Sequence, residues 1–304
     1  MNKKLLFSIL WILLLLGNIL VVRAQQVQDS ISGFDLNTIA QLHQENSYIT
    51  FPTDIGNMAD LWFEGNINPA FTIRNNKKSR LLTTLTPQVI IRMYRENSYP
   101  VRTPSYIPQL TLYYITGNKK GRHNISLFAK AAHHSNGQEG AFYRDDGSIN
   151  TRSGNFSTNF FEFGIIDTHY WSRTRNAQYF KSSLELHPKA WMADELVGQY
   201  SRVRWHNEFG VYNLGLDLKP AKNRRANISF IARTTWMADG FNDYDTFDIK
   251  RLNFSATVFY HPNFLEDVGF FMKFYHGFDY YNIYFNERID VLRFGIMIET
   301  LKFK

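Results

Sequence analysis

An antiparallel β-barrel that crosses a membrane on about twelve strands is the fold class this sequence predicts, and three observations predict it. The chain opens with an export signal. Its aromatic content is high, 16% with 17 Tyr and 26 Phe, while its mean hydropathy is negative at −0.32. From Ser47 onward it repeats one beat, about ten to fifteen residues of apolar/polar alternation followed by a cluster of turn formers. A soluble core of this size needs fewer aromatics. A barrel disperses its apolar residues by alternation and sets aromatics at the two interfaces, so both properties hold at once.

The elements follow in order. Residues 1–24 read as a signal peptide: Lys3 and Lys4 form the positive end, Leu5 to Val22 is an apolar run, and Val22-Arg23-Ala24 ends on a small residue. Residues 25–46 read as an N-terminal extension or partial plug, rich in Gln, Ser and Asn. Residues 47–304 form the barrel. Its predicted strands are Tyr48–Phe51, Ile67–Arg74, Leu81–Tyr94, Tyr106–Ile115, His123–Ser135, Ser157–Trp171, Phe180–Trp191, Arg202–Leu218, Ala226–Trp236, Lys250–Tyr260, Gly269–Tyr275 and Val291–Leu301. The separators alternate in kind. Short polar ones fall at Asn75–Lys78, Asn118–Arg122, Ser172–Gln178 and Lys219–Arg225; longer mixed ones at Glu96–Ser105, Asn136–Phe156, Met192–Ser201 and Ala238–Phe247. Short turns on one rim and long loops on the other are the pattern of a barrel in the outer membrane of a Gram-negative bacterium.

Charge and residue usage narrow the function. Without Lys3, Lys4 and Arg23 the chain keeps 31 basic against 27 acidic residues, a surplus too small and scattered for nucleic acid. It has no cysteine, so no disulfide staples it. His133 and His134 are adjacent and point to opposite faces of a strand; the other histidines, among them His123, His169 and His276, show no ligand spacing in sequence and predict no zinc site. Asp145-Asp146-Gly147-Ser148 lacks the spacing of a calcium loop and reads as a turn.

One hairpin carries a candidate chemistry. Alternation puts Ile125, Leu127, Ala129, Ala131, His133 and Ser135 on one face of its first strand, and Asn159, Phe161, Phe163 and Ile165 on one face of its return. An apolar face thus ends in a histidine, a hydroxyl two positions on, and an amide across the hairpin. Those are the parts of an activated nucleophile: base, attacking oxygen, and a group that orients the base. Polar groups facing lipid are costly and usually functional; the alternative reading is a polar strand terminus at the interface.

His133-His134-Ser135-Asn136-Gly137 resembles the His-x-Ser-Asn-Gly signature of the outer-membrane phospholipase A family. Ser98-Tyr99-Pro100-Val101-Arg102 with Tyr106-Ile107-Pro108-Gln109-Leu110 is similar to the family's first long loop and its re-entry, and Tyr275-His276-Gly277-Phe278 with Tyr284-Phe285-Asn286 to its last hairpin. The resemblance implies a calcium-dependent homodimer that hydrolyses acyl esters of glycerophospholipids. Ser135 would be the nucleophile and His133 the general base. The third member would be Asn155, by its Ser-x-Asn context, or Asn159, which strand geometry favours. Calcium would be held by hydroxyl and carbonyl oxygens with water, contributed across the dimer, Ser98 at the position supplied by the partner's first loop and Gln138 offering a backbone carbonyl. Gln88 would correspond to a glutamine that supports the Asn.

The resulting expectation is a phospholipase A1/A2, a carboxylic ester hydrolase acting on membrane phospholipids. The alternative is a non-catalytic outer-membrane barrel, a pore or surface protein. A deacylase of lipopolysaccharide fits the chain length and the residue order less well.

Overall fold

The computed structural model describes residues 34–298 except positions 75, 77–78, 118–121, 172–175, 213–226, 263 and 266. The predicted signal peptide, the turn at 219–225 and the C-terminal six residues lie outside the described residues. Twelve antiparallel strands close into one barrel: β1 (Tyr48–Thr50), β3 (Leu61–Ile67), β5 (Leu81–Tyr94), β6 (Ser105–Ile115), β7 (His123–Ser135), β8 (Ser157–Trp171), β9 (Asn176–Leu186), β10 (Val203–Tyr212), β11 (Asn227–Met237), β12 (Leu252–His261), β13 (Val268–Phe278) and β14 (Arg288–Ile298). Each pairs with the next, and β1 against β14 closes the ring, with Tyr48 opposite Met297. Two short segments, β2 (Ile55–Gly56) on β14 and β4 (Phe71–Ile73) on β5, continue the first two strands after breaks.

The expected alternation is strict where the strands are long. In β5, Leu82, Thr84, Thr86, Gln88, Ile90, Arg92 and Tyr94 are buried while their odd-numbered neighbours face outward. The outward face carries Leu, Ile, Val and Phe between two aromatic levels: Trp62, Tyr106, Trp191 and Trp205 near the long-loop rim, Tyr114, Trp171 and Tyr260 near the short-turn rim. From Ser135, paired with Tyr106, to Leu127, paired with Tyr114, is about 26 Å along the strand. Tilted, that matches an apolar band about 25 Å tall.

Several predicted boundaries are corrected. Ile67–Arg74 begins too late, because the second strand starts at Leu61 with buried Glu64 and Asn66 facing inward, and Asn68-Pro69 then interrupts it. Tyr48–Phe51 is likewise only the first part of an interrupted strand. Phe180–Trp191 runs too far: the strand ends at Leu186, and Lys189–Trp191 forms a 3₁₀ turn after Pro188, which cannot continue a ladder.

Residues 34–47, ahead of β1, lie inside the barrel. Helix α1 (Leu36–His43) begins at Asp35, whose carboxylate accepts from Thr38 N at 2.9 Å, a cap worth about 1 kcal/mol. Its apolar positions Leu36, Ile39 and Ala40 and the last-turn His43 recur at helical spacing and are buried. His43 Nδ1 lies 2.7 Å from the Tyr113 hydroxyl, and its ring lies 4.2 Å from that of Phe128. Phe128 has room to lie there because its cross-strand partner is Gly164, where a Cβ would meet the Phe128 ring at 2.7 Å. Residues 44–47 then lead up the lumen to β1, with Asn68 donating to the Glu45 carbonyl at 2.7 Å and Glu45 paired with Arg233.

The long-loop end is closed by an apolar cluster from three loops and the end of β5, including Tyr94, Phe142, Phe156, Leu196, Tyr200, Tyr281 and Phe285. Beneath it sits an ion network. Arg92, fully buried, binds Glu64 through Nε at 2.6 Å and Asp279 bidentately at 2.6 and 2.8 Å, and Arg293 reaches Glu64 at 2.5 Å. Between plug and cap a polar cavity of about 340 Å³ remains in the lumen.

Candidate active site

β7 and β8 run antiparallel over thirteen residue pairs, from His123 opposite His169 to Ser135 opposite Ser157. Near the upper end His133 stands directly opposite Asn159, and His133 Nδ1 lies 3.0 Å from Asn159 Oδ1. Both side chains are on the outward face. His134 points the other way, buried, with its ring 4.9 Å from that of Phe156. Ser135 follows two residues above His133 on the same outward face, so the two side chains rise from neighbouring outward positions about 7 Å apart along the strand. Among the described residues no hydrogen bond joins the imidazole to Ser135 Oγ. Such contacts often tighten only when substrate is bound.

Each flank of this pair has a physical cause. On the β8 side the chain after β9 folds back over the strand: Ala193 N donates to Ser157 O at 2.8 Å and Thr158 bridges to Met192. That return places the Trp191 carbonyl 2.8 Å from Asn159 Nδ2. An amide nitrogen committed to a carbonyl leaves the amide oxygen facing His133. Nδ1 must then carry the proton and donate, and Nε2 is left with a free lone pair. On the β6 side, the register pairs Tyr106 with Ser135 and resumes at Gln109 with Ala132. Pro108 lies level with His133 and has no N–H to give, so the ladder opens there.

The rest of the signature pentapeptide is architectural. Asn136, buried, donates from Nδ2 to Gly154 O at 2.8 Å and accepts on Oδ1 from Phe156 N at 3.0 Å and Gln138 N at 3.3 Å. It ties both ends of the 136–156 loop together just above the site. Gly137 adopts φ +66°, with the Tyr106 ring 3.5 Å from where a Cβ would stand. The backbone leaving Ser135 therefore turns sharply at a residue that needs left-handed geometry.

Of the two amide candidates the structure brings Asn159 to His133. Asn155 sits in the long loop, its N–H donating to Gly140 O at 3.0 Å. Gln88 is corrected: it points into the lumen, donates to Asn66 Oδ1 at 3.0 Å and accepts from Gln109 at 3.1 Å, on the opposite side of the wall from Asn159. The expected role fails because Gln88 occupies an inward position of β5. Asp145-Asp146-Gly147-Ser148 is a turn as expected; the Ser148 hydroxyl and N–H hold the Asp146 carboxyl below its usual range.

The proposed calcium donors lie on two loops. Ser98 is exposed in the 95–104 loop, next to Tyr99, whose ring meets Arg152 of the 136–156 loop at 5.7 Å. Gln138 is half-buried just after Gly137. Calcium takes about six to eight oxygens, waters among them; these two neutral oxygen donors suit its chemistry and leave most of the shell to other oxygens.

Sequence reasoning missed Trp191 and Pro108, which act through a carbonyl and a missing N–H and leave no residue-type signal. It also missed that His123 and His169, 46 positions apart, face one another once the register is set.

The closed barrel with an outward His–Asn pair defines a class, a twelve-stranded β-barrel of the transmembrane type with a polar pair on its apolar outer wall. Solved structures of that shape are similar to this chain over most of its length. Outer membrane phospholipase A from Escherichia coli matches with 14% identity, covering 89% of this chain and 97% of that one, at a TM-score of 0.58. An active-site mutant of the same protein gives 13% identity, 90% and 98% coverage and 0.58. The Salmonella typhi outer membrane phospholipase, solved as a dimer with bound calcium, gives 12%, 84% and 90%, and 0.56. The fold is that of outer membrane phospholipase A. No protein-family model and no curated protein matches the sequence.

Proposed function

We propose that this chain is an outer-membrane phospholipase of the A type, hydrolysing acyl esters of glycerophospholipids at the lipid-facing wall of the barrel. The observation that supports this reading is the His133–Asn159 hydrogen bond, a base with its orienting group, set on a face that is otherwise apolar and beside Ser135. Ser135 stands at the level of Tyr106, among the upper aromatics, where the glycerol esters of a bilayer lie. Acyl chains of a substrate then run down the wall over Ala131, Ala129, Phe161 and Phe163.

In the reaction, His133 Nε2 takes the proton from Ser135 Oγ as that oxygen attacks the ester carbonyl. The imidazolium is held in orientation by Asn159 Oδ1. An Asn fixes the tautomer as an Asp would but brings no negative charge. His133 then returns the proton to the departing lysophospholipid oxygen, leaving an acyl-serine. Water, deprotonated by the same nitrogen, hydrolyses that ester and releases the fatty acid. A calcium ion held by the Gln138 carbonyl of one copy, Ser98 of a second copy and water would supply positive charge against the oxyanion.

A homodimer as the active species belongs to the same proposal, with Ser98 and Gln138 supplied by different copies; a solved structure of this fold, the Salmonella typhi outer membrane phospholipase, is a dimer with bound calcium. The pore reading is disfavoured by the loop cluster over the long-loop end and by α1 in the lumen. The test is fatty-acid release from mixed detergent–phospholipid micelles in calcium and in chelator. Calcium-dependent release supports the reading; a folded barrel that releases none in calcium overturns it.

A further inference from the structure

We propose that His123, Asp167 and His169 form a binding site for a divalent transition-metal ion of the zinc class, on the outer face of the barrel at the short-turn rim. The site lies at the other end of the same hairpin, about 40 Å along β7 from Ser135. Its ligand atoms converge without any ion. His123 Nε2 is 2.8 Å from Asp167 Oδ1, His169 Nε2 is 3.3 Å from Asp167 Oδ2, and one donor atom from each residue lies within 4.8 Å of the other two.

The backbone holds this arrangement. His123 and His169 are direct cross-strand partners, and Asp167 is two residues before His169 on the same face, opposite Ile125. The two imidazole rings stack at 4.0 Å with an 18° tilt, and Trp171 lies against His169 at 5.6 Å and 24°. Both rings therefore present Nε2 toward one carboxylate. As ion pairs alone they would be worth little at a partly exposed rim, about 0–1 kcal/mol each. As ligands they are two imidazole nitrogens and a carboxylate oxygen. That is the donor set of zinc sites with an open fourth position for water.

Zinc bonds of about 2.0–2.2 Å put tetrahedral ligands about 3.4 Å apart. The two His–Asp separations, 2.8 and 3.3 Å, already lie at or just inside that spacing, so an ion asks only for small side-chain torsions while the paired strands stay in place. The geometry suits zinc rather than calcium, which takes more ligands, all of them oxygen. Because the ligands come from both strands, an ion here clips β7 to β8 at the rim opposite His133 and Asn159.

The test uses the mature, tag-free chain folded in zwitterionic detergent, stripped with chelator, and titrated with zinc by calorimetry. The gel-shift unfolding temperature is read in parallel. Saturable binding of one zinc per chain with a raised unfolding temperature is expected. Asp167→Asn, which keeps shape and hydrogen bonding, and His123→Ala/His169→Ala each weaken binding by at least about 100-fold, more than the loss of an outer-shell partner. His276→Ala, which removes a histidine paired with Asp290 on the outer wall, leaves binding unchanged. Zinc binding that is absent in the wild type, that survives in the folded Asp167→Asn variant, or that disappears in His276→Ala overturns the assignment.

Discussion

Asn159 is held by the main chain of Trp191: its amide nitrogen donates to the Trp191 carbonyl at 2.8 Å, and this turns its oxygen onto His133 Nδ1 at 3.0 Å. The loop after β9 thus decides which nitrogen of the base is protonated. Asn159→Ala leaves Nδ1 without its acceptor and frees the ring to rotate. Fatty-acid release should fall on the order of 10- to 100-fold, less than the full 10²–10⁴ that a general base contributes. His133→Ala should fall further. Initial rates in mixed micelles compare the two, and equal losses would place Asn159 in the chemistry rather than in positioning.

Asn136 sits next to the proposed nucleophile yet points away from lipid. Asn136→Ala strands the buried Gly154 carbonyl and Phe156 N–H, each costing about 1–3 kcal/mol. Reduced thermal stability of the 136–156 loop is expected, seen as faster proteolytic nicking there, with Ser135 still reactive toward an acylating probe.

Arg92 makes a sharper stability prediction. Arg92→Met leaves the Glu64 and Asp279 carboxylates facing each other without their shared cation, a loss of about 3–5 kcal/mol. Arg92→Lys restores charge but not the bidentate fork, so it should fall between Met and wild type. The gel-shift unfolding temperature ranks the three.

α1 fills the lumen at the short-turn end through His43, Tyr113 and Phe128. Deleting residues 34–43 should open that end toward the polar cavity and raise single-channel conductance in planar bilayers. Unchanged conductance would show that the loop cluster at the far end closes the lumen by itself.

Long strands were legible because a period-two pattern survives any register: β5, β7 and β8 match their predicted bounds or nearly so. The second strand was obscured because its inward positions carry Glu64 and Asn66 and because Asn68-Pro69 breaks it, the first because it is interrupted after Thr50. His133, Ser135 and Asn159 could be placed on one face from alternation alone. What alternation cannot give is the register of β7 on β8, which sets His133 against Asn159 and His123 against His169. Nor does it show a loop that returns over a strand, which is how Trp191 reaches Asn159.

The measurement that bears most directly on the proposed hydrolase compares purified wild type with Ser135→Ala in mixed phospholipid micelles, each with calcium and with chelator. Calcium-dependent fatty-acid release by the wild type, abolished in a Ser135→Ala barrel that unfolds at the wild-type temperature, is the predicted result. Equal release by both proteins would contradict Ser135 as nucleophile. No release from a folded wild type in calcium would leave a barrel of this fold without the chemistry.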